Sequence, residues 1–289
     1  MSDDPHDPET DPAEPDVHRL LELLSLEPID RDIFRSPHPG EGMGRLFGGQ
    51  VASQALRAAQ ATVDADHHVN SLHAYFLRPG RFGLPVTFVV DRIRDGSSFT
   101  TRRVVAQQEG EAILNLDASF HTAEDGEEFE APNPIDLVPT PEELERDVSH
   151  LAPHRRVVDH REIEPPPASS TRAMWIRTVG QLPDDPDLHA AVLTYMSDSG
   201  PVSAARRAIG RGGRWGREGG ERNLMTASLD HTLWFHRPAR ADEWLLYDLQ
   251  AVACGRARGL TRASMWTRDG HLAVSVSQEA LLRPKRDAG

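Results

Sequence analysis

Apolar residues recur along this chain with two different periods, and the switches between them mark the elements. Over Val17–Leu26 (VHRLLELLSL) they follow helical spacing, which predicts a short capping helix. A second helix fits Gly49–Val63 (GQVASQALRAAQATV). There Val51, Ala55, Ala58 and Ala59 put small side chains on one face, as suits a helix lying close against a sheet. The period then falls to two. VNSLHAYFLRPG, LPVTFVVDRIRD, SSFTTRRVVAQQ and EAILNLDASFHT read as four strands, with Asp95-Gly96 and Glu109-Gly110-Glu111 supplying hairpin turns. In the last of them Leu114, Leu116, Ala118 and Phe120 alternate with Asn115, Asp117 and Ser119. That pattern marks an antiparallel strand with one buried face.

From Ala123 to about Thr171 the text turns acidic and Pro-rich, and reads as a long connection with a short helix near Pro141 to Ser149. The order of elements then repeats. Asp187–Ser197 (DLHAAVLTYMS) is a helix, a Gly/Arg-rich loop follows, and ASLDHTLWFHRP, DEWLLYDLQAVACG, GLTRASMWTRDG and HLAVSVSQEALLR read as strands. Tyr75-Phe76-Leu77-Arg78-Pro79 returns as Trp234-Phe235-His236-Arg237-Pro238, and the turn glycine Gly110 as Gly270. The offsets of 159 and 160 are nearly constant, so one unit has been used twice. The organisation expected is a disordered acidic tail over 1–16, a first unit over 17–125, a linker over 126–171 and a second unit over 172–289.

Composition narrows the function. The 289 residues are 38% apolar and 27% charged, as in soluble globular proteins, with no apolar run long enough to span a bilayer. The opening MSDDPHDPETDPAEPDV has neither a basic start nor an apolar signal core, which points to the cytoplasm. A net charge of −13 argues against nucleic acid as a partner, although about half of the excess sits in the tail. The single cysteine, Cys254, excludes an internal disulfide framework and a Cys-based zinc cluster.

Two polar residues stand out in the second unit. In HLAVSVSQEAL, Gln278 shares parity with Leu272, Val274 and Val276, so a primary amide sits in register with a buried face and needs partners there. Its counterpart in the first unit is Ala118. Asp230 opens an apolar strand where the first unit has Ser71, and is either a solvated turn residue or a base. Both lie in the second half, which predicts one working site per chain.

The ordered phrases Leu46-Phe47-Gly48-Gly49-Gln50, Leu77-Arg78-Pro79-Gly80, Leu229-Asp230-His231, Trp234-Phe235-His236-Arg237-Pro238 and Ser277-Gln278-Glu279 resemble the acyl-CoA thioesterase II (TesB-type) family. The resemblance runs from about Val17 to Pro284. It implies an α+β double hot-dog, two antiparallel sheets joined and wrapped around central helices, and hydrolysis of fatty acyl-CoA to free acid and CoA without a covalent acyl-enzyme. The family site is a triad of Asp, Thr or Ser, and Gln that holds the attacking water. By the resemblance the Asp falls on Asp230, the Gln on Gln278 and the hydroxyl on Val252, where the chain departs from the pattern because valine can neither donate nor accept. On a regular strand holding Val252, Gln250 and Cys254 point to the same side; either supplies the missing polar contact, or the water relies on Asp230 and Gln278 alone. The resemblance also implies acyl-CoA as substrate, with CoA part of the substrate and no cofactor, and a homo-oligomer.

Other chemistries fit less well. A hot-dog enoyl-CoA hydratase would need an Asp/His dyad, and Asp230 and His231 point to opposite faces of a regular strand. A non-catalytic acyl-CoA-binding protein with a decayed triad is the other alternative. Cys254 has no assignable basic partner to activate it as a nucleophile. The loop Ala204–Arg222 (AARRAIGRGGRWGREGGER) is either a flexible surface loop or a grip for CoA phosphates. His67, His68 and His73, and His150, His154 and His160, show no metal-ligand spacing, and no Gly-x-Ser-x-Gly phrase occurs.

Overall fold

The computed structural model describes residues 17–36, 44–146, 156–164, 171–211 and 224–284; the tail expected over 1–16 lies outside them. In chain order the first half contains α1 (Val17–Leu24), β1 (Glu27–Asp30), β2 (Ile33–Arg35), α2 (Gly48–Gln60), β3 (His67–Phe76), β4 (Thr87–Arg94), β5 (Phe99–Gln108) and β6 (Glu111–Thr122). The second contains β7 (Val158–Ile163), β8 (Thr171–Thr178), α3 (Pro186–Ser197), α4 (Pro201–Ala208), β9 (Leu224–Ser228), β10 (Asp230–Phe235), β11 (Leu245–Gly255), β12 (Arg258–Thr267) and β13 (Leu272–Pro284).

All strands join one antiparallel sheet in the order β1-β2-β4-β5-β6-β3-β10-β13-β12-β11-β8-β7, with β9 beside the path on β13. Read from the centre outwards, β3-β6-β5-β4-β2-β1 is matched by β10-β13-β12-β11-β8-β7, so the repeat in the sequence is a two-fold repeat in the sheet. The halves meet where β3 pairs with β10, from Asp230 opposite Tyr75 to Trp234 opposite Ser71. The turn glycines Gly110 and Gly270 occupy corresponding hairpins, both with positive φ (79° and 91°). This is a double hot-dog.

The linker reading over 126–171 needs correction. It contains β7, paired with β8 from Val158 opposite Thr178 to Ile163 opposite Ala173. The β7–β8 hairpin is the counterpart of β1–β2, which the strand periodicity also missed. Both are short, both lie at the sheet ends, and β1 carries Pro28 while β7 is followed by Pro-rich text, so neither offers a run of alternation. Between β6 and β7, Ile135, Val138 and Leu144 pack on Trp175, Trp244, Leu246 and Trp266 across the outer face of the second half, and Trp175 Nε1 donates to the Pro139 carbonyl (2.8 Å). Of the short helix expected near Pro141 to Ser149, a single 3-10 turn forms at Pro141–Glu143, and residues 147–149 lie outside the described residues.

The core sits between the helices and the inner face of the sheet. In α2, Ala52, Ala55, Ala58 and Ala59 are fully buried, so the small residues allow the backbone close to β3–β6. The helices α2 and α3 pack side by side and antiparallel. The first turn of α2 meets the end of α3 through Gly49 and Asp198, and its last turn meets the start of α3 through Gln60, whose Nε2 donates to the Asp187 carbonyl (2.9 Å). Leu20 and Leu24 of α1 enter the same core, and Gln54 Nε2 donates to the Leu23 carbonyl (2.8 Å).

Candidate active site

Helix α3 ends in Ser197-Asp198-Ser199-Gly200-Pro201. Gly200 takes a φ of 133°, which side-chain-bearing residues avoid, and Pro201 starts α4 in a new direction. Asp198 is the C-cap of α3. A carboxylate there opposes the negative end of the helix dipole, an unfavourable placement worth roughly 0.3–1 kcal/mol if nothing answers it. The answer is α2. Its N-cap, Phe47, has no side-chain acceptor, and the Gly49 N–H donates instead to Asp198 Oδ2 (2.8 Å). A carboxylate at the end of one helix thereby caps the start of the other.

The close approach depends on two glycines. A Cβ on Gly48 would come within 2.8 Å of Asp198 Oδ2 and of Phe76, and one on Gly49 within 2.5 Å of the Tyr195 carbonyl oxygen. Tyr247 Oη donates to the Ser197 carbonyl (2.6 Å) and fixes the end of α3 from the sheet side.

The other oxygen of Asp198 faces β13 and β9. Gln278 Nε2 donates to Asp198 Oδ1 (3.1 Å) and to Ser228 Oγ (2.8 Å), and Ser228 Oγ donates to Asp198 Oδ1 (3.3 Å). The three side chains form a closed triangle with the amide protons and the hydroxyl proton all accounted for. Gln278 is 1% exposed and Asp198 8%, while Ser228 is half-buried, so the triangle is walled by the core and open on the β9 side. A carboxylate able to take a proton, a hydroxyl and an amide converge on one point beside a helix N-terminus. That set can orient and deprotonate a water molecule.

The sequence-derived site residues divide. Gln278 lies on the buried face of β13 with Val274, Val276, Ala280 and Leu282, as its parity predicts. Asp230 does not join it. Its strand partner on β3 is Tyr75, which is exposed, so the Asp230 side chain lies on the outer face, where Oδ1 accepts from the Glu279 N–H (2.6 Å). The carboxylate beside Gln278 is Asp198. Val252 does not join it either. The β11–β12 register shifts between Ala251 and Ala253, which makes Val252 the extra residue of a bulge, 45% exposed. The hydroxyl beside Gln278 is Ser228. Gln250 is exposed, and the Cys254 thiol donates to the Ala205 carbonyl (3.6 Å), its pKa pushed up by burial. In the Ala204–Arg222 loop, residues up to Ala208 belong to α4 and 212–222 lie outside the described residues, as do His150 and His154.

Family models match both halves: an acyl-CoA thioesterase N-terminal domain over residues 36–121 and an acyl-CoA thioesterase C-terminal domain over 121–282. The chain belongs to the TesB-type acyl-CoA thioesterase family. It is similar to acyl-coenzyme A thioesterase 8 of Homo sapiens, 36% identical over 91% of this chain and 88% of that protein. Acyl-CoA thioesterase 2 of Haemophilus influenzae is 30% identical over 92% of this chain and 98% of its own length. Among solved structures, the acyl-CoA thioesterase II TesB2 of Mycobacterium marinum is 37% identical, with a TM-score of 0.79 over 94% of this chain and 99% of its own.

Within this family fold the corresponding place in the first half is filled. Gln278 sits opposite Thr261, and its counterpart Ala118 sits opposite Arg102. Arg102 is 1% exposed; its guanidinium donates to Thr62 Oγ1 (2.8 Å), to the Thr62 carbonyl (2.9 Å) and to Asp95 Oδ1 (2.5 Å). The end of α2 thus meets a cation where the end of α3 carries Asp198.

Sequence reasoning missed Asp198 and Ser228. One signal for Asp198 was present, an acid closing a helix that is apolar nearly all round, against the dipole. Ser228 had none in the periodicity, since it stands two residues before Asp230 in what reads as one strand.

Proposed function

We propose that the protein hydrolyses acyl-CoA thioesters to the carboxylate and free CoA, using water held by Asp198 and Ser228, both positioned by Gln278. The observation that carries this reading is the closed hydrogen-bonded triangle of these three side chains at the start of α2. The names of its relatives in the acyl-CoA thioesterase family support the substrate class.

Asp198 takes a proton from water as the water oxygen bonds to the thioester carbonyl carbon. Ser228 Oγ, which keeps a lone pair, holds that water, while Gln278, with both N–H groups on Asp198 and Ser228, keeps the carboxylate and the hydroxyl aimed at it. Charge gathering on the carbonyl oxygen is met by the positive end of the α2 dipole. When the C–S bond breaks, the thiolate of CoA takes up the proton and the acid leaves. No step requires a covalent acyl-enzyme, and Cys254, outside the triangle, has no part in it. No helix among the described residues is long and apolar enough to cross a membrane.

The test is thiol release from a series running from butyryl- to stearoyl-CoA, with the wild type beside Gln278→Ala. Turnover by the wild type that collapses in the folded variant is expected. Folded wild type that protects acyl-CoA in a melting assay yet releases no thiol from any chain length would replace the hydrolase with a binding protein.

A further inference from the structure

His231 on β10 is fully buried, lies next to the triangle, and has no role in the reaction as described above. Its strand partner on β3 is Ala74, in the core, and the β10–β13 register, Thr232 opposite Ser277, continues to place His231 opposite Gln278. Its Nε2 lies 2.7 Å from Ser197 Oγ, on the residue before Asp198. Two buried atoms beside it have no hydrogen-bond partner, His231 Nδ1 and Gln278 Oε1. The Gln278 side chain is close enough to act on the imidazole pKa, raising it against burial.

The amide orientation removes the ambiguity. Gln278 must turn Nε2 towards the Asp198 carboxylate, because Oε1 there would set two acceptors against each other. Oε1 is then the amide atom left without a partner, as Nδ1 is on the ring opposite, and a bare Nδ1 would set two acceptors against each other there. Burial pushes the imidazole pKa down and holds the ring neutral, so it carries one proton. We infer that His231 is a positioning residue: its Nδ1–H donates to Gln278 Oε1, while the Ser197 hydroxyl donates to Nε2. The chain Ser197–His231–Gln278 then locks the amide so that both its protons point at Asp198 and Ser228. Ser197 Oγ also lies 2.9 Å from the Thr194 carbonyl, but the hydroxyl has one proton, and in this chain it goes to Nε2.

This inference rests on the proposed hydrolase, and its test has one arm that does not. Long-range 15N–1H spectra of 15N-histidine-labelled enzyme report which ring nitrogen carries the proton, with His231→Asn assigning the signal. A protonated Nδ1 is expected. In turnover, His231→Leu leaves Oε1 unanswered, and kcat is expected to fall roughly 10- to 100-fold with KM little changed, because a loosened amide mispositions the water without touching the acyl-CoA. His231→Asn puts an N–H donor near the place of Nδ1 and should restore kcat to within about fivefold; His231→Gln, which reaches the Nε2 side, should not. A bare Nδ1 in active enzyme, or wild-type kcat in folded His231→Leu, would overturn the inference. A protonated Nδ1 in a wild type that releases no thiol would fault the hydrolase reading and leave the bridge in place.

Discussion

Two carboxylates, Asp198 and Asp230, compete for the role of base, and paired Asp→Asn variants separate them. In Asp198→Asn one oxygen must serve contacts that two now share. With the amide oxygen kept on the Gly49 N–H, the new NH2 faces the NH2 of Gln278, whose bond is lost, and the Ser228 hydroxyl, which must turn and accept instead of donate. A buried bond broken in this way costs about 1–3 kcal/mol. Removing the charge has two further effects that nearly cancel, each roughly 0.3–1 kcal/mol: repulsion from the end of α3 is relieved and attraction to the start of α2 is lost. Stability should therefore fall by only about 1–3 kcal/mol, which in a chain of this size lowers Tm by several degrees.

Activity should fall much further. General base catalysis contributes about 100- to 10,000-fold, so kcat should drop by that factor, about 2.7–5.4 kcal/mol of barrier. Asp230→Asn retains an oxygen for the Glu279 N–H on the outer face and should keep kcat within about threefold. The assay is thiol release followed with a disulfide chromophore. The exposed Cys254 is the chain's only thiol, so a pre-titration with the reagent removes its contribution. Folded Asp198→Asn within threefold of the wild type, or Asp230→Asn as impaired as Asp198→Asn, would refute the assignment.

Four more outcomes are expected. Ser228→Ala removes a donor to Asp198 and an acceptor for Gln278, and should lower kcat roughly tenfold or more while Ser228→Thr recovers most of it, as thiol-release kinetics would show. Gly49→Ala sets a Cβ 2.5 Å from the Tyr195 carbonyl oxygen; urea unfolding should show a loss of about 1–3 kcal/mol, with kcat reduced as the α2–α3 contact opens. Val252→Thr, on an exposed bulge, should leave kcat within twofold in the same thiol assay, because its side chain is away from Gln278. Burial alone would raise the Asp242 carboxyl, but its bonds to Arg240 and the Leu182 N–H outweigh that and hold it below its ordinary value. A depressed carboxylate pKa contributes stability that is complete above the unfolded pKa of about 3.9 and lost as pH falls through the folded one. Asp242→Asn should therefore cost roughly 1–2 kcal/mol at neutral pH in chemical denaturation, and the difference should close below about pH 4.

The long strands and the repeat were legible because alternation and hairpin glycines are local signals, repeated at one spacing. Gln278 was legible for the same reason: a polar residue on the buried parity of β13 needs only the strand itself to be noticed. Asp198 was not, because its meaning lies in a helix end about 150 residues from Gly49 and 80 from Gln278. The constant offset compares strands with strands and says nothing of what closes α3. Ser228 and Asp230 share parity, so a continuous strand would put them on one face. The break at Leu229 divides that strand into β9 and β10, sending Ser228 to Gln278 and Asp230 to the outer surface. At Val252 a bulge residue disrupts the alternation from which its side was read. At Ser228, Asp230 and Val252 the difference comes from treating an irregular strand as regular.

The same contacts give a reason for the proposed chemistry to fall in one of two like halves. Antiparallel packing of α2 and α3 creates two places where the start of one helix meets the end of the other. In one, Gly48 and Gly49 leave room for a carboxylate to reach the Gly49 N–H, and Ser228 and Gln278 complete its coordination. In the other, the start of α3 is closed by its own N-cap, Asp185, whose Oδ1 accepts from the Asp187 and Leu188 N–H groups. The end of α2 is closed by Arg102, a cation at the negative end of a dipole and therefore favourably placed. Structural stability is met at the second junction by local means. At the first it depends on Asp198, a residue that opposes its own helix and is held by groups from three other elements. A carboxylate kept in an unfavourable local position by long-range contacts suits the proposed reactive site, and the first copy of the unit is free to do without one.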